Sequence, residues 1–395
     1  MRKIELKYLF IVVIIATGCS SNNQTGSILP FIDVRKNYPE KEIILTDIAE
    51  VVYVHLSTEN EDYLYQGGIR DITENTIVIH DNSSDKILFF SKDGTPKSFF
   101  NRKGQGTEEY TGVRFIIFDE DADDVFIYSM GNIFQVYSST GEYKRTLFLP
   151  EGIFVNGCAS FDRETFIVYD ESSRINRTQK GLMDFSIEHK DSSFIQISNV
   201  DGKVIHYLEL SDKNIVLRDD RNFGDIRGPV GRTSRLIKCK EGVLICNPET
   251  DTVFLYGTDK SLKPVIHKTP LVSDLDPMVY MNNCVDVGRY QFIEVFTVRW
   301  DEGAFPFPVK YYIRDTKTGE IFRQKIILPD YHGKEFIFSP LQTGRDYENG
   351  TFIELDLIEL KQAYKDNRLG GKLKELVATL NELEDNNVFM FICFR

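Results

Sequence analysis

Histidine is the side chain best suited to moving protons near neutral pH, and the chain has six: His55, His80, His189, His206, His267 and His332. No HExxH pair occurs and no two stand at helical spacing, so histidine-bound zinc has no support. Beyond Cys19, the cysteines Cys158, Cys239, Cys246, Cys284 and Cys393 are scattered, odd in number and without a CxxC pair. They are expected to be reduced thiols filling buried positions. Asp119-Glu120-Asp121-Ala122-Asp123-Asp124 has carboxylates enough for calcium, but an EF-hand loop needs Gly sixth and Glu twelfth, where Asp124 and Met130 stand. A solvated turn is expected instead, and neither a metal nor another cofactor. No Gly-x-Ser-x-Gly elbow is present, so nucleophilic hydrolysis through such an elbow has no motif behind it. The 60 Asp and Glu are too many for sequence alone to pick out an acid/base pair.

Recognition has better candidates. Residues 300–308 (WDEGAFPFP) gather the only Trp, two Phe and two Pro, which makes Trp300, Asp301 and Phe305 candidate contacts for a sugar ring or a peptide side chain. The alternative is a loop folded against its neighbour, burying its rings. Arg70, Tyr110, Arg114 and His332 lie near the expected starts of inner strands, where a ligand at a channel mouth would meet them. For each, the commoner use of such a residue is structural, as an ion pair or a hydrogen-bonder lining the ring.

The elements that must position these residues come from a repeat. Alternating apolar runs recur in sets: Thr76–Asp81, Lys86–Ser91 and Pro96–Phe100, then Asp124–Tyr128, Asn132–Tyr137 and Tyr143–Leu149. Further copies follow at Thr165–Tyr169, Ser193–Ile197 and Val204–Leu210, at Gly242–Cys246, Thr252–Tyr256 and Pro264–Lys268, and at Tyr290–Val298, Val309–Ile313 and Ile321–Leu328. Asp93-Gly94, Thr140-Gly141, Asp201-Gly202, Asp259-Lys260-Ser261 and Thr318-Gly319 mark the outer hairpin turns. A period of roughly 50–60 residues with several strands per copy is the pattern of propeller blades. The polar stretches 171–191 and 211–232 are expected to be loop insertions.

A sixth sheet must close the ring. Thr351–Leu355 and Val388–Cys393 supply two strands, and the outer strand is expected from the other end of the chain, Glu50–Leu56, which leaves no open rim. Between the two late strands, Leu373, Leu376, Val377, Leu380 and Leu383 fall on one helical face, preceded by a short helix near Leu357–Tyr364. The fold class expected is thus all-β, a six-bladed propeller over residues 41–395 with a small C-terminal helical insertion in the closing blade.

The N-terminus has a cationic start (Arg2, Lys3, Lys7), an apolar run from Tyr8 to Ile15, and small residues before Cys19. The run is about half the ~20 residues a spanning helix needs. This arrangement resembles a bacterial lipobox, with Ala16 where Leu is usual. The resemblance implies a signal peptide over 1–18, a lipid on Cys19 and a tether over 19–40, so that the chain meets a membrane through its anchor. Losing Arg2, Lys3, Lys7 and Glu5 takes the net charge from −13 to −15, a poor match for nucleic acid.

Arg102-Lys103-Gly104-Gln105-Gly106-Thr107-Glu108-Glu109-Tyr110, Lys317-Thr318-Gly319-Glu320 and Asp385-Asn386-Asn387-Val388 together resemble segments of the six-bladed β-propeller lipoproteins of Bacteroidetes, TolB-like and NHL-like in architecture. Thr107-Glu108 replace the family's Pro-Gly, so that turn must close differently. His332 breaks the acidic loop that Asp330-Tyr331-His332-Gly333 otherwise approaches. The resemblance implies a fold and an address rather than a reaction: a cell-envelope protein, in the outer membrane and facing the periplasm, with surface display the alternative. The function expected is a non-catalytic binding or scaffold module for a peptide, glycan or partner protein. The competing expectation is an extracytoplasmic carbohydrate- or peptide-active lyase or hydrolase with its site on a propeller face.

Overall fold

The structure is a computed structural model that describes residues 29–58, 61–170, 172, 193–210, 236–247, 250–297, 308–338, 350–382 and 384–395. The stretches expected to be loop insertions lie largely outside them. Six sheets are present. Blade 1 runs through Gly67–Ile72, Thr76–Asp81, Ile87–Ser91 and Pro96–Phe100, each strand antiparallel to the last. Blade 2 follows with Phe115–Asp119, Asp124–Tyr128, Ile133–Tyr137 and Tyr143–Phe148, and blade 3 with Val155–Asp162, Thr165–Asp170, Phe194–Ser198 and Val204–Tyr207. Leu236–Cys239, Gly242–Ile245, Thr252–Gly257 and Leu262–Thr269 make blade 4. Val279–Val287, Tyr290–Thr297, Val309–Asp315 and Ile321–Ile327 make blade 5. First strands of successive blades pack on one another, from Gly67–Ile72 through to Leu236–Cys239, so the first strand of each blade is innermost.

The alternation of apolar residues explains why the sheets stack radially. In Thr76–Asp81, Ile77 and Ile79 face the closing blade while Val78 faces blade 2. In Asp124–Tyr128, Val125 and Ile127 pack back on blade 1, and Phe126 and Tyr128 pack forward on blade 3. Both faces of each central strand are therefore buried, each large side chain contributing about 2 kcal/mol of transfer free energy. No shared centre is required, which is how a chain too long for one ordinary core stays folded.

The ring closes as the sequence implies. Val388–Phe394 is antiparallel to Gly350–Leu355 on one side and to Ala49–His55 on the other, with Phe391 opposite Val52 and Ile392 opposite Val51. The helical insertion also forms. Helix Leu357–Lys365 starts at Asp356, whose carboxylate accepts the Glu359 N–H at 2.9 Å, and helix Gly371–Thr379 follows. Leu360, Ala363, Leu373 and Val377 are buried with Leu328, Tyr331 and Phe336, so this apolar face is propeller packing. The helix ends before Leu380, expected on the same face, and Leu383 lies outside the described residues.

Two features depart from expectation. Phe31–Asp33 adds to the outer strand of blade 4 and Glu40–Ile44 to that of blade 5, both parallel, so the chain joins the rim from residue 31 rather than 41. Ile32 is fully buried there. Among the cysteines, Cys393 is exposed rather than buried, because it sits outward on the last strand. The Asp119–Asp124 turn is a solvated hairpin whose Asp124 is salt-bridged to Lys144 and Arg145, each at 2.8 Å.

The outer turns do more than reverse the chain. Gly94 and Gly202 have φ of +90° and +74°, and an added Cβ would collide with the His55 carbonyl oxygen and the Phe148 carbonyl oxygen respectively. Each of those carbonyls belongs to the outer strand of the preceding blade. Glycine is needed there both for the turn and for contact between blades.

Candidate functional site

In blades 1 to 5, four antiparallel strands put the connection from second to third strand and the connection onward to the next blade at the same end. Arg70 lies on the innermost strand of blade 1 at a register shift between Ile69, opposite Ile79, and Asp71, opposite Val78. It is the extra residue of a β-bulge, a device that redirects a side chain. Its guanidinium reaches toward the interblade end: Nη2 lies 3.2 Å from His80 Nδ1 and donates to Asn82 Oδ1 at 3.0 Å. Arginine can only donate, so His80 Nδ1 accepts, the ring proton sits on Nε2, and Nε2 donates to Asp85 Oδ1 at 3.1 Å. Lys103 Nζ closes the series on Asp85 Oδ2 at 2.5 Å. Burial holds the His80 pKa below its ordinary value. The imidazole is thus neutral, with both nitrogens engaged.

Tyr110 supports this series from below. It is 1% exposed, donates its hydroxyl proton to the Asp85 carbonyl oxygen at 2.7 Å and accepts the Arg102 N–H at 3.2 Å. It is a strut that fixes the loop, and it offers a ligand almost no surface. The loop closes without Pro-Gly because the Glu109 carboxylate turns back to accept the Gly106 N–H at 2.7 Å. Arg114, at the start of blade 2, donates to Asn156 on the inner strand of blade 3 and stacks near Phe115 and Phe154, 5.7 and 5.2 Å from the ring centres. It ties two blades together. His332 is exposed, and its backbone N–H donates to the Arg368 carbonyl oxygen at 2.8 Å, beside the helical insertion. The structure therefore brings Arg70 and Tyr110 into one series of contacts and leaves Arg114 and His332 outside it. Trp300, Asp301, Phe305 and Cys19 lie outside the described residues.

Sequence reasoning missed His80, Asn82 and Asp85. The available signal was the match of Thr76–Asp81 to Thr165–Asp170, which places Tyr169 where blade 1 has His80. The Asp that ends both strands is architectural. Asp81 accepts the N–H groups of Gln66 at 2.9 Å and Ser83 at 3.1 Å, and Asp170 accepts those of Phe154 at 2.9 Å and Ser172 at 3.0 Å. Burial pushes the Asp81 carboxyl up, but hydrogen bonds from Ser84, Gln66 and Ser83 outweigh it and bring the pKa down to about 2.

A second polar group lies between blades 6 and 1. Glu354 accepts from Asn387 Nδ2 at 2.8 Å, its Oε2 approaches Gly68, and burial holds its pKa above the usual carboxylate value. The Tyr65 hydroxyl, inside the same interface, is buried without a hydrogen-bond partner.

A family model described as a 6-bladed beta-propeller matches residues 20–217. Among solved structures, a Bacteroides fragilis protein described as exported is 16% identical across 90% of this chain and 99% of its own, with a TM-score of 0.61. That likeness is one of fold. The extracellular domain of a hybrid two component system from Bacteroides thetaiotaomicron is 14% identical over 71% of this chain and 32% of that one, with a TM-score of 0.38. The Pan2 WD40 domain of Neurospora crassa is 10% identical over 68% and 71%, at 0.35. Neither of these two carries an argument. A comparison with curated proteins finds no match. Six sheets, the closure through both chain ends and the matched family model lead to one conclusion: the chain belongs to the 6-bladed beta-propeller family.

Proposed function

We propose that this protein is a lipid-anchored module of the cell envelope that binds a ligand without transforming it, through the face carrying the interblade connections. The observation behind the non-catalytic reading is His80. A general base needs a free lone pair, and here Nδ1 already accepts from Arg70 while Nε2–H is spent on Asp85. The export and anchor reading rests on the chain's own first 19 residues. Cys19→Ser should move the protein from the membrane fraction to the soluble one and abolish incorporation of a labelled fatty acid. Continued labelling would sink the anchor. Glycans and peptides screened by thermal shift should include binders, and Trp300→Ala should weaken a binder that uses the 300–308 loop.

One observation favours a second reading, an enzyme acting on carbohydrate or peptide outside the cytoplasm. A carboxyl whose pKa burial raises, as it does for Glu354, is shifted in the direction a general acid requires. Product formation from a bound oligosaccharide or peptide, lost in Glu354→Gln, would establish that reading over the first.

A further inference from the structure

Arg70 is a partly enclosed cation whose charge no carboxylate answers among the described residues. Lys268, fully buried, meets Asp251 at 2.7 Å, and Lys144 and Arg145 meet Asp124. Arg70 has no carboxylate partner among the described residues. Its two acceptors, a neutral imidazole nitrogen and an amide oxygen, bring no charge. The nearby carboxylates are committed elsewhere: Asp85 lies across the imidazole ring on Lys103, and Asp81 faces Gln66, Ser83 and Ser84. Nε is sealed from solvent with no hydrogen bond, which costs free energy that a purely structural arginine would avoid. Nη1 has no partner among the described residues and is not sealed. Asn82 is exposed, and its amide nitrogen is likewise uncommitted among them.

We infer that Arg70 and Asn82 form a site for one carboxylate group of a small ligand entering at the interblade face. Arg70 Nη1 supplies the charged donor and Asn82 Nδ2 the second, matching the two oxygens of a planar acid. His80, with Asp85 and Lys103 behind it, is the positioning residue that holds the guanidinium. A monoanion suits the acidic chain, −13 over the full sequence and more negative once the signal is removed, which repels ligands carrying many negative charges. The carboxylate can belong to a sugar acid or to an amino-acid derivative. This deepens the binding-module reading and rests on it.

The test is calorimetric titration of the full mature chain at constant ionic strength with glucuronate against glucose, and N-acetylalanine against its uncharged carboxamide. At least one acid should bind about tenfold tighter than its neutral counterpart. Arg70→Gln should erase that preference. Arg163→Gln, which removes an exposed charge on blade 3, should leave it intact. The pair that shows the preference identifies the source. If Arg70→Gln fails to fold, Asn82→Ala takes its place, with a several-fold loss expected. Failure of both acids to bind at millimolar concentration overturns the site, as does a preference that survives Arg70→Gln or Asn82→Ala. Equal binding of acid and neutral counterpart removes the carboxylate assignment and leaves the binding module standing. Conversion of a bound acid to product, followed by NMR, removes the non-catalytic reading and leaves the site.

Discussion

Blades 1 to 3 and blades 4 to 6 make the same ring by different means. In the first half, the outer turns are glycine turns pressed against the preceding blade, as at Gly94 on His55 and Gly202 on Phe148. Second strands of blades 1 and 3 end in an aspartate that clamps the incoming connection. In blade 5 the outer turn holds no such contact among the described residues, since Gly319 faces open space, and in blade 4 Lys260 rather than a glycine takes the positive φ. Their rims are instead covered by Phe31–Asp33 and Glu40–Ile44, and the same segment runs on into blade 6 as Ala49–His55. One half is locked by contacts between neighbours, the other by a girdle from the chain's own beginning.

The largest expected effect separates the two uses of glycine. Gly202 and Gly319 have nearly the same φ, +74° and +76°, so replacement by Ala strains both backbones alike, by about 1 kcal/mol. Only at Gly202 does the new methyl meet a backbone carbonyl. Gly202→Ala should cost about 4 kcal/mol and Gly319→Ala about 1, read as urea midpoints at constant m. Equal losses would mean that the first half is not held by its turns.

The girdle gives the next effect. Ile32 is fully buried against blade 4 and belongs to the core shared by blades 4 to 6. Ile32→Ala should cost about 3 kcal/mol, as deletion of buried aliphatic volume does. Proteolysis should then cut first near residues 31–44. A loss well under 1 kcal/mol would show that the first strand is decoration and that the second half closes without it.

These differences track what was legible. Hairpin glycines and alternating runs are local signals, so the sheets, the helical insertion and even the strand borrowed from Glu50–Leu56 could be placed in advance. Phe31–Asp33 and Glu40–Ile44 could not. They are short, the second is mostly charged on its exposed positions, and a parallel partner more than 200 residues away leaves no mark in a local pattern. At the candidate site, Arg70 was singled out by its place near an inner strand, but the bulge that aims it has no residue signature here. Tyr110, picked for its position, is 1% exposed and holds its loop through hydrogen bonds, the structural role that the sequence reading also named for it.

Acid tests the aspartate clamp of blade 1 more gently. The Asp81 pKa falls from 3.8 unfolded to about 2 folded, so the unfolded chain binds the proton more readily. Its stabilisation is complete above pH 3.8 and is lost as pH falls through about 2. The shift corresponds to about 2 kcal/mol. Asp81→Asn should therefore lose about 2 kcal/mol at neutral pH, and the gap to the wild type should close between those two pH values. A gap that stays constant across that range would mean Asp81 acts by shape and not by charge.

The smallest effect tests whether the charged series behind Arg70 stabilises the first half or only orders it. Lys103 is half exposed while Asp85 is largely enclosed, and their contact is screened on one side by water. Lys103→Ala should lower stability by under 1 kcal/mol, because Asp85 keeps the His80 Nε2–H and stays solvated at its outer oxygen. A loss several times larger would mean that the Lys103 contact is effectively buried. The series would then rank with the glycine turns as a lock on blade 1, and its role in presenting Arg70 would be secondary.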